Sequence, residues 1–479
     1  MLRIYNTLGR QMQEFKPIEE GKVRFYQCGP TVYWTQHIGN MRAIVMGDLI
    51  RRSLMYIGYE VKYVRNYTDF GHLTSDGDEG EDKMEKGAKR EGVTPKEIAD
   101  KYIKEFEIDV NSLNVLVPTV TARATDYLQP MIQMVQVLLD KGIAYSTPKA
   151  IYFDVTKFSE YTALSGQKLE MNQSGEGHGD VTDSAKKNPV DFALWFFKTG
   201  VHKNALQYWE SPFESTEVEN GFGFPGWHIE CSAMAKANLG DTLDIHMGGV
   251  EHIPVHHTNE IAQSECANSA DYVHYWVHNE HLDVDGTKMS KSLGNVWNLS
   301  TLKEKGYSPL ALRFFFLQSQ YRSKQNFTFE GLDASVKAFE RLQNFVNSWS
   351  KEVEQTNTAG QIDKTLKDKF IAALEEDFNI PLALSVVWEV TKADITAANK
   401  LATVLDFDRV LGLELDSAIT DPQTLEIPLE AQILIDERAL ARLQKDFKKS
   451  DELRDRLKAE FGLVVKDTSE GQEIAINKL

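Results

Sequence analysis

Three groups of residues in this chain have side chains and spacings that could do chemistry. The first is His37-Ile38-Gly39-Asn40, which ends the run Pro30-Thr31-Val32-Tyr33-Trp34-Thr35-Gln36 where a strand-like pattern turns helical. A glycine there lets the backbone approach a phosphate, and a helix N-terminus supplies unpaired N–H donors. For these four residues alone, a histidine packed at a helix start remains the favoured reading. The second is Asp285-Gly286-Thr287-Lys288-Met289-Ser290-Lys291-Ser292-Leu293-Gly294-Asn295. Lys288 and Lys291, with serines interspersed and glycines on both sides, make a cationic loop. Such a loop can close on a polyphosphate and offset charge growing on a departing pyrophosphate. Most lysine pairs of this spacing are merely solvated, but the flanking glycines and serines weigh against that here. The third is dispersed: Cys28, Cys231 after Gly226-Trp227-His228-Ile229-Glu230, and His256-His257-Thr258-Asn259-Glu260. His256 and Glu260 share a helix face, and two thiolates, an imidazole and a carboxylate suit zinc. The spacing is not that of a zinc finger, and cysteines are often small buried hydrophobes, as expected for Cys266.

Groups so far apart meet only if a fold brings strand ends together. Val23-Arg24-Phe25-Tyr26-Gln27-Cys28 is β-rich and ends at Gly29-Pro30-Thr31. From about Asn40 to Tyr56, Met41, Val45 and Leu49 fall on one helical face, and Glu60-Val61-Lys62-Tyr63-Val64-Arg65 resumes as a strand. Strand, helix, strand implies a parallel sheet, which binds ligands at the carboxyl ends of its strands. Residues 72–92 carry a charge run and read as a solvated, mobile loop. Helical patterns follow at about 95–112 and 120–141. Residues 150–200 are strand-like and irregular around Gln173-Ser174-Gly175-Glu176-Gly177-His178-Gly179-Asp180. Beyond about 310 the chain is helical, with a linker at Gln355-Thr356-Asn357-Thr358-Ala359-Gly360. After a break at Asp421-Pro422, one charged helix from Ala431 to Glu460 and a strand-like tail are predicted.

At 479 residues, two to four domains are expected. A composition of 42% hydrophobic and 26% charged residues excludes a disordered or collagen-like chain. A net charge of −18 excludes a surface coated in positive charge but leaves room for a local basic footprint. Three cysteines cannot form a disulfide framework, so a reducing cytoplasm is expected. Neither a leader pattern nor a membrane span is evident, and no membrane partner is expected.

Together these residues resemble a class I aminoacyl-tRNA synthetase. His37-Ile38-Gly39-Asn40 is similar to the HIGH element and Lys288 to Ser292 to the KMSKS element. Cys28-Gly29-Pro30-Thr31-Val32-Tyr33, Gly226-Trp227-His228-Ile229-Glu230-Cys231-Ser232-Ala233-Met234 and His256-His257-Thr258-Asn259-Glu260-Ile261-Ala262-Gln263-Ser264 narrow the likeness to the cysteinyl-tRNA synthetases. The likeness extends to Glu437-Arg438-Ala439-Leu440-Ala441-Arg442 and Ser450-Asp451-Glu452-Leu453-Arg454. It implies an α/β fold with a Rossmann-type parallel-sheet catalytic domain in two halves (1–119 and 209–310). An inserted connective domain (120–208), a helical stem and bundle (311–420) and a small mixed α/β anticodon-binding region (425–479) complete it. It implies one zinc per subunit on Cys28, Cys231, His256 and Glu260, with His257 the lesser candidate. Trp227 would lie against the bound amino acid. His37, Gly39, Asn40 and Lys291 would bind ATP with Mg2+, and His37, Asn40, Lys288 and Lys291 would serve catalysis. The implied partners are cysteine, ATP and tRNA(Cys), and the implied state a monomer. The chain departs from the commoner pattern at Thr68-Asp69-Phe70-Gly71-His72, which leads into an acidic 75–85 loop with no assigned role. Two alternatives stand beside it: a cysteine ligase of mycothiol synthesis on the same core, disfavoured by the length after Ser292, and a non-catalytic RNA-binding relative, disfavoured by the intact His37, Lys288 and Lys291.

The implied reaction makes cysteinyl-adenylate and then charges the terminal adenosine of tRNA. The stretch Glu437 to Lys458 has eight Lys/Arg against five acids, a local +3 within the acidic whole. Alone it reads equally as a salt-bridged face, and the resemblance makes it the RNA contact. Deleting residues 425–479 is expected to leave ATP–pyrophosphate exchange with cysteine intact while tRNA charging falls; equal rates of charging with and without the segment would refute the assignment.

Overall fold

The computed structural model describes residues 1–71, 73–75, 79–167, 183–289, 294–419, 428–468 and 471–476. Lys291, the glycine-rich run at 173–180 and the Asp421-Pro422 break lie outside the described residues. The chain divides into two units, Met1–Ala418 and Ile419–Leu479.

Five parallel strands form the central sheet of the first unit: β1 Lys22–Gln27, β2 Glu60–Tyr67, β3 Val120–Arg123, β4 Leu243–Gly249 and β5 Val273–Asn279. Their spatial order, 5-4-1-2-3, is doubly wound. The chain leaves β1 in one direction and β4 in the other, so a crevice opens between their carboxyl ends. Val23, Phe25 and Tyr26 of β1 are buried on both faces, as a covered parallel strand requires. The helix Ile38–Tyr56 then crosses to β2. Met41, Ile44, Val45, Leu49 and Leu54 are all buried, so it is covered on several sides. Gly47 lets it sit on β1: a Cβ there would lie 2.1 Å from Gln27 Oε1.

The same helix carries a buried charge. Asp48 accepts from Arg313 Nη2 at 2.7 Å, Arg52 Nε at 2.8 Å and the Leu116 amide at 2.9 Å. Burial opposes ionisation of Asp48, yet the two guanidinium groups keep its carboxyl below the usual range. Arg313 also donates to Leu411 and Leu113 carbonyls at 2.7 and 2.8 Å. This cluster joins the first crossover to the helices Pro309–Leu317 and Ala397–Leu411.

Between β3 and β4 lies a four-stranded antiparallel sheet, ordered Gly223–Pro225, Phe192–Phe197, Ala150–Phe153, Ala144–Ser146. Its Phe153, Phe192 and Trp195 share one core with Tyr26, Met234 and Trp276 around the central sheet. Pro95–Ser112, Leu299–Glu304, Phe329–Thr356, Lys364–Glu375 and Ile380–Lys392 are further helices of the unit.

Three expectations are corrected. Part of the 72–92 segment is ordered structure: Lys83–Glu91 is a helix capped by Asp82, and Met84 and Ala88, one turn apart, are buried beneath its charged face. The helix predicted from 120 begins instead with strand β3, followed by a 3-10 turn and the helix Leu128–Asp140. Four residues are too few for strand periodicity to stand out beside a long helix. The single C-terminal helix is two, Leu429–Leu443 and Phe447–Phe461, with the hairpin Leu463–Thr468/Gly471–Ile476 after them. Lys445 takes a left-handed φ of 62° and Asp446 caps the second helix, so the chain turns where no glycine or proline marks it.

Asp48→Asn would leave two guanidinium groups buried beside a neutral amide. It is expected to cost about 3–5 kcal/mol, seen as a lower thermal midpoint; an unchanged midpoint would show that the cluster does not secure the crossover.

Candidate active site

The crevice between β1 and β4 collects the dispersed group. Cys28 follows β1 directly, and its amide donates to Met247 O of β4 at 3.0 Å. Gly29 is required by the neighbouring strand, because a Cβ would fall 1.7 Å from the Asn66 carbonyl oxygen. The helix Trp227–Leu239, entering β4, presents Cys231; the helix His256–Asn268, leaving it, presents His256 and Glu260. The ligand atoms of Cys28, Cys231, His256 and Glu260 all lie within 4.8 Å of one another. So do those of Cys28, His246, His257 and Glu260, an overlapping set. Trp227 stacks on His256 with ring centroids 4.2 Å apart, which puts it beside the same cluster.

Charge is concentrated here and buried, with Cys231, His246, His256 and Glu260 all at most 2% exposed. Glu260 Oε2 accepts from His246 Nε2 at 2.9 Å and from the Tyr272 hydroxyl at 3.0 Å. Its Oε1 lies 3.0 Å from His256 Nε2 but receives no aligned hydrogen bond. Burial works against the charge, yet His246 and His256 hold the Glu260 carboxyl well below the ordinary range. Burial likewise opposes protonation of His256, but Glu260 and Cys28 raise its imidazole to about 10. Cys28 pays the same burial penalty, and its hydrogen bond with Cys231 and the charge of His257 bring the thiol well down. Cys231, on the other side of that bond and buried, is pushed well up, so the pair favours sharing one proton. His257 Nε2 stands 3.4 Å from Cys28 Sγ and its Nδ1 2.7 Å from His278 Nε2. His228 and His256 meet through their Nδ1 atoms at 3.0 Å. Two soft sulfurs, imidazole and a carboxylate oxygen lacking an aligned donor are a donor set that fits zinc.

The second group lies at the next turn. His37 caps the helix Ile38–Tyr56, its Nδ1 accepting from the Asn40 amide at 3.2 Å. Asn40 Nδ2 donates to Gln36 Oε1 at 2.5 Å, and Gln36 Nε2 is tied to Trp34 O at 2.9 Å. The helix N-terminus is less open than the sequence implied, because the Ile38 amide donates to Trp297 O at 2.8 Å. Lys288 sits exposed on the short strand Thr287–Lys288. Met289 reaches back to the helix: a Cβ on Gly39 would lie 2.5 Å from its methyl carbon. The lysine-bearing hairpin and the His37 turn are therefore neighbours in space.

Sequence reasoning missed Gln36, His228, His246, His278 and Tyr272. His246 and His278 lie within β4 and β5, where a histidine reads as one alternating strand position. Gln36, adjacent to His37, and His228, adjacent to Trp227, carried a local signal.

A doubly wound sheet with this crevice and lysine hairpin defines the core of a class I aminoacyl-tRNA synthetase, and the family model for the tRNA synthetases class I (C) catalytic domain matches residues 14–337. Models for the DALR domain and the cysteinyl-tRNA ligase anticodon binding domain match residues 369–416 and 424–474. The chain is 42% identical to cysteine–tRNA ligase 1 of Burkholderia lata over 474 residues, covering 99% of this chain and 96% of that one. It is 40% identical to the cysteine–tRNA ligase of Treponema denticola, covering 97% and 98%. This chain belongs to the cysteine–tRNA ligase family. The fold is shared with the methionyl-tRNA synthetase of Mycobacterium tuberculosis solved with methionyl-adenylate, at a TM-score of 0.57, 14% identity, and coverage of 84% of this chain and 92% of that one. It is shared also with the LeuRS of Agrobacterium radiobacter K84 solved in a ternary complex, at 0.60, 12% identity, and 85% of both chains.

Proposed function

We propose that this chain joins cysteine to ATP, forming cysteinyl-adenylate and pyrophosphate, and then passes cysteine to the terminal adenosine of tRNA(Cys). The observation carrying this reading is the gathering of Cys28, Cys231, His256 and Glu260 at the β1–β4 crevice, with Cys28 nine residues before His37 in the chain. These four residues would hold one zinc ion. Zinc supplies a soft centre that prefers sulfur to oxygen and eases loss of a thiol proton. Packing alone separates side chains of such similar size by only about 1–3 kcal/mol, so a sulfur-selective centre accounts for choosing cysteine over serine. Trp227, held flat on His256, would wall the amino-acid side of the site.

Attack of the carboxylate on the α-phosphate needs placement and charge stabilisation more than proton transfer. His37, Gly39 and Asn40 would bind the ATP phosphates, with Mg2+ as part of that substrate. Lys288 and Lys291 would meet charge developing on the pyrophosphate side, the role of Lys291 resting on sequence. The Ile419–Leu479 unit would read the anticodon, and its match to an anticodon-binding model supports tRNA over an amino-sugar acceptor. We place the inserted connective layer between β3 and β4, as the antiparallel sheet suggests. Free thiols in ligand and substrate suit a reducing cytoplasm, and a monomer satisfies every role assigned here.

Cys231→Ser is expected to lower zinc content below one per chain and raise the KM for cysteine roughly tenfold or more, since disturbing even the outer shell of a metal site costs about 10–100-fold in affinity or activity; normal zinc content with unchanged cysteine activation would overturn the ligand set. Lys291→Ala should slow cysteine-dependent ATP–pyrophosphate exchange by about 100–1000-fold with zinc retained. Exchange at the wild-type rate would remove that lysine from the reaction.

A further inference from the structure

Arg42 lies five residues after His37 on the same helix and is 1% exposed. Neutral acceptors surround its guanidinium. Nη1 donates to Glu280 O at 2.6 Å, Nη2 to Ser323 O at 3.0 Å and Gln320 O at 3.3 Å, and Nε to Gln325 Oε1 at 3.0 Å. All four acceptors belong to one platform. Leu282–Val284 pairs in parallel with Gln325–Phe327 and antiparallel with Thr287–Lys288, so Glu280 and Gln325 lie at the base of the sheet that carries Lys288. The 320–323 loop is held in turn by Asp377, which accepts from the Tyr321 hydroxyl at 2.8 Å, Arg322 Nε at 2.7 Å and Gln320 Nε2 at 3.0 Å. At the other end of the platform, Met289 rests against Gly39, and Trp297 O accepts from the Ile38 amide. The His37 helix and the Lys288 hairpin are thus fastened at two points, and Arg42 is the deeper one.

Burying a guanidinium is costly, and neutral carbonyls offset less of that cost than a carboxylate would. Burial lowers the Arg42 pKa to about 10, which leaves it charged at neutral pH. A planar fork is needed to reach acceptors on three sides, and a lysine ammonium cannot reproduce it.

We propose that Arg42 is a positioning residue for the ATP half of the reaction: it fixes the Lys288 hairpin against the His37–Asn40 turn so that both face one triphosphate. The inference rests on the ATP-dependent reading above and adds to it a residue that touches no substrate.

The test is a double-mutant cycle on the full chain, read by cysteine-dependent ATP–pyrophosphate exchange, zinc content and thermal midpoint. Arg42→Lys is expected to lower kcat about 10–100-fold, the range a small misplacement produces, with zinc content and the KM for cysteine unchanged. Lys288→Ala should then cost at least fivefold less in the Arg42→Lys background than in the wild type, because the lysine is already out of place. Gln325→Leu, which removes one acceptor, should show the same coupling at smaller size and guards against Arg42→Lys failing to fold. Independent, multiplicative effects of Arg42→Lys and Lys288→Ala would overturn the inference, as would a parallel loss of zinc or of cysteine affinity. A wild-type chain without cysteine-dependent exchange would instead overturn the functional reading on which it rests.

Discussion

A carboxylate without water governs the centre of this molecule. Glu260 is fully buried, and an ionised group there persists only among donors or cations. It draws His246 from β4, His256 from its own helix and Tyr272 from the approach to β5 onto two oxygens. Three elements are thereby pinned to one another beside the sheet, where Cys28 and Cys231 arrive from two others. A divalent cation among these groups would meet the same need, so structural constraint and proposed chemistry coincide.

Buried charge does a second kind of work on the helix Ile38–Tyr56. Asp48 is saturated by two arginines and an amide, and Arg42 by four neutral acceptors. Every side-chain nitrogen or oxygen of these two residues has a hydrogen-bond partner. Glu260 Oε1, by contrast, lacks an aligned hydrogen bond.

The central βαβ unit was legible because Val23 to Cys28 and Met41 to Leu49 carry patterns fixed by local backbone geometry. The Lys83–Glu91 helix was not, since its three buried positions, Met84, Gly87 and Ala88, are hidden among charged neighbours. The turn at Lys445 was invisible for a related reason: a left-handed residue other than glycine leaves no compositional mark. In the site, Cys28, Cys231, His256 and Glu260 stood out as a zinc-like donor set by residue type and were singled out through resemblance, whereas His246 and Tyr272 matter only through their distance to Glu260.

The sequence alone determined the residue types, the strand–helix–strand opening, the lysine-bearing run and the family that such motifs resemble. These depend on neighbours within a few positions, where periodicity and composition carry information. Tertiary structure alone decided that strands β1 and β4 lie side by side, that two cysteines 203 positions apart bring their sulfurs within 4.8 Å, and that Arg42 reaches Gln325. Those facts rest on sheet order and burial, and both arise from contacts between segments whose separation along the chain leaves no trace in local pattern.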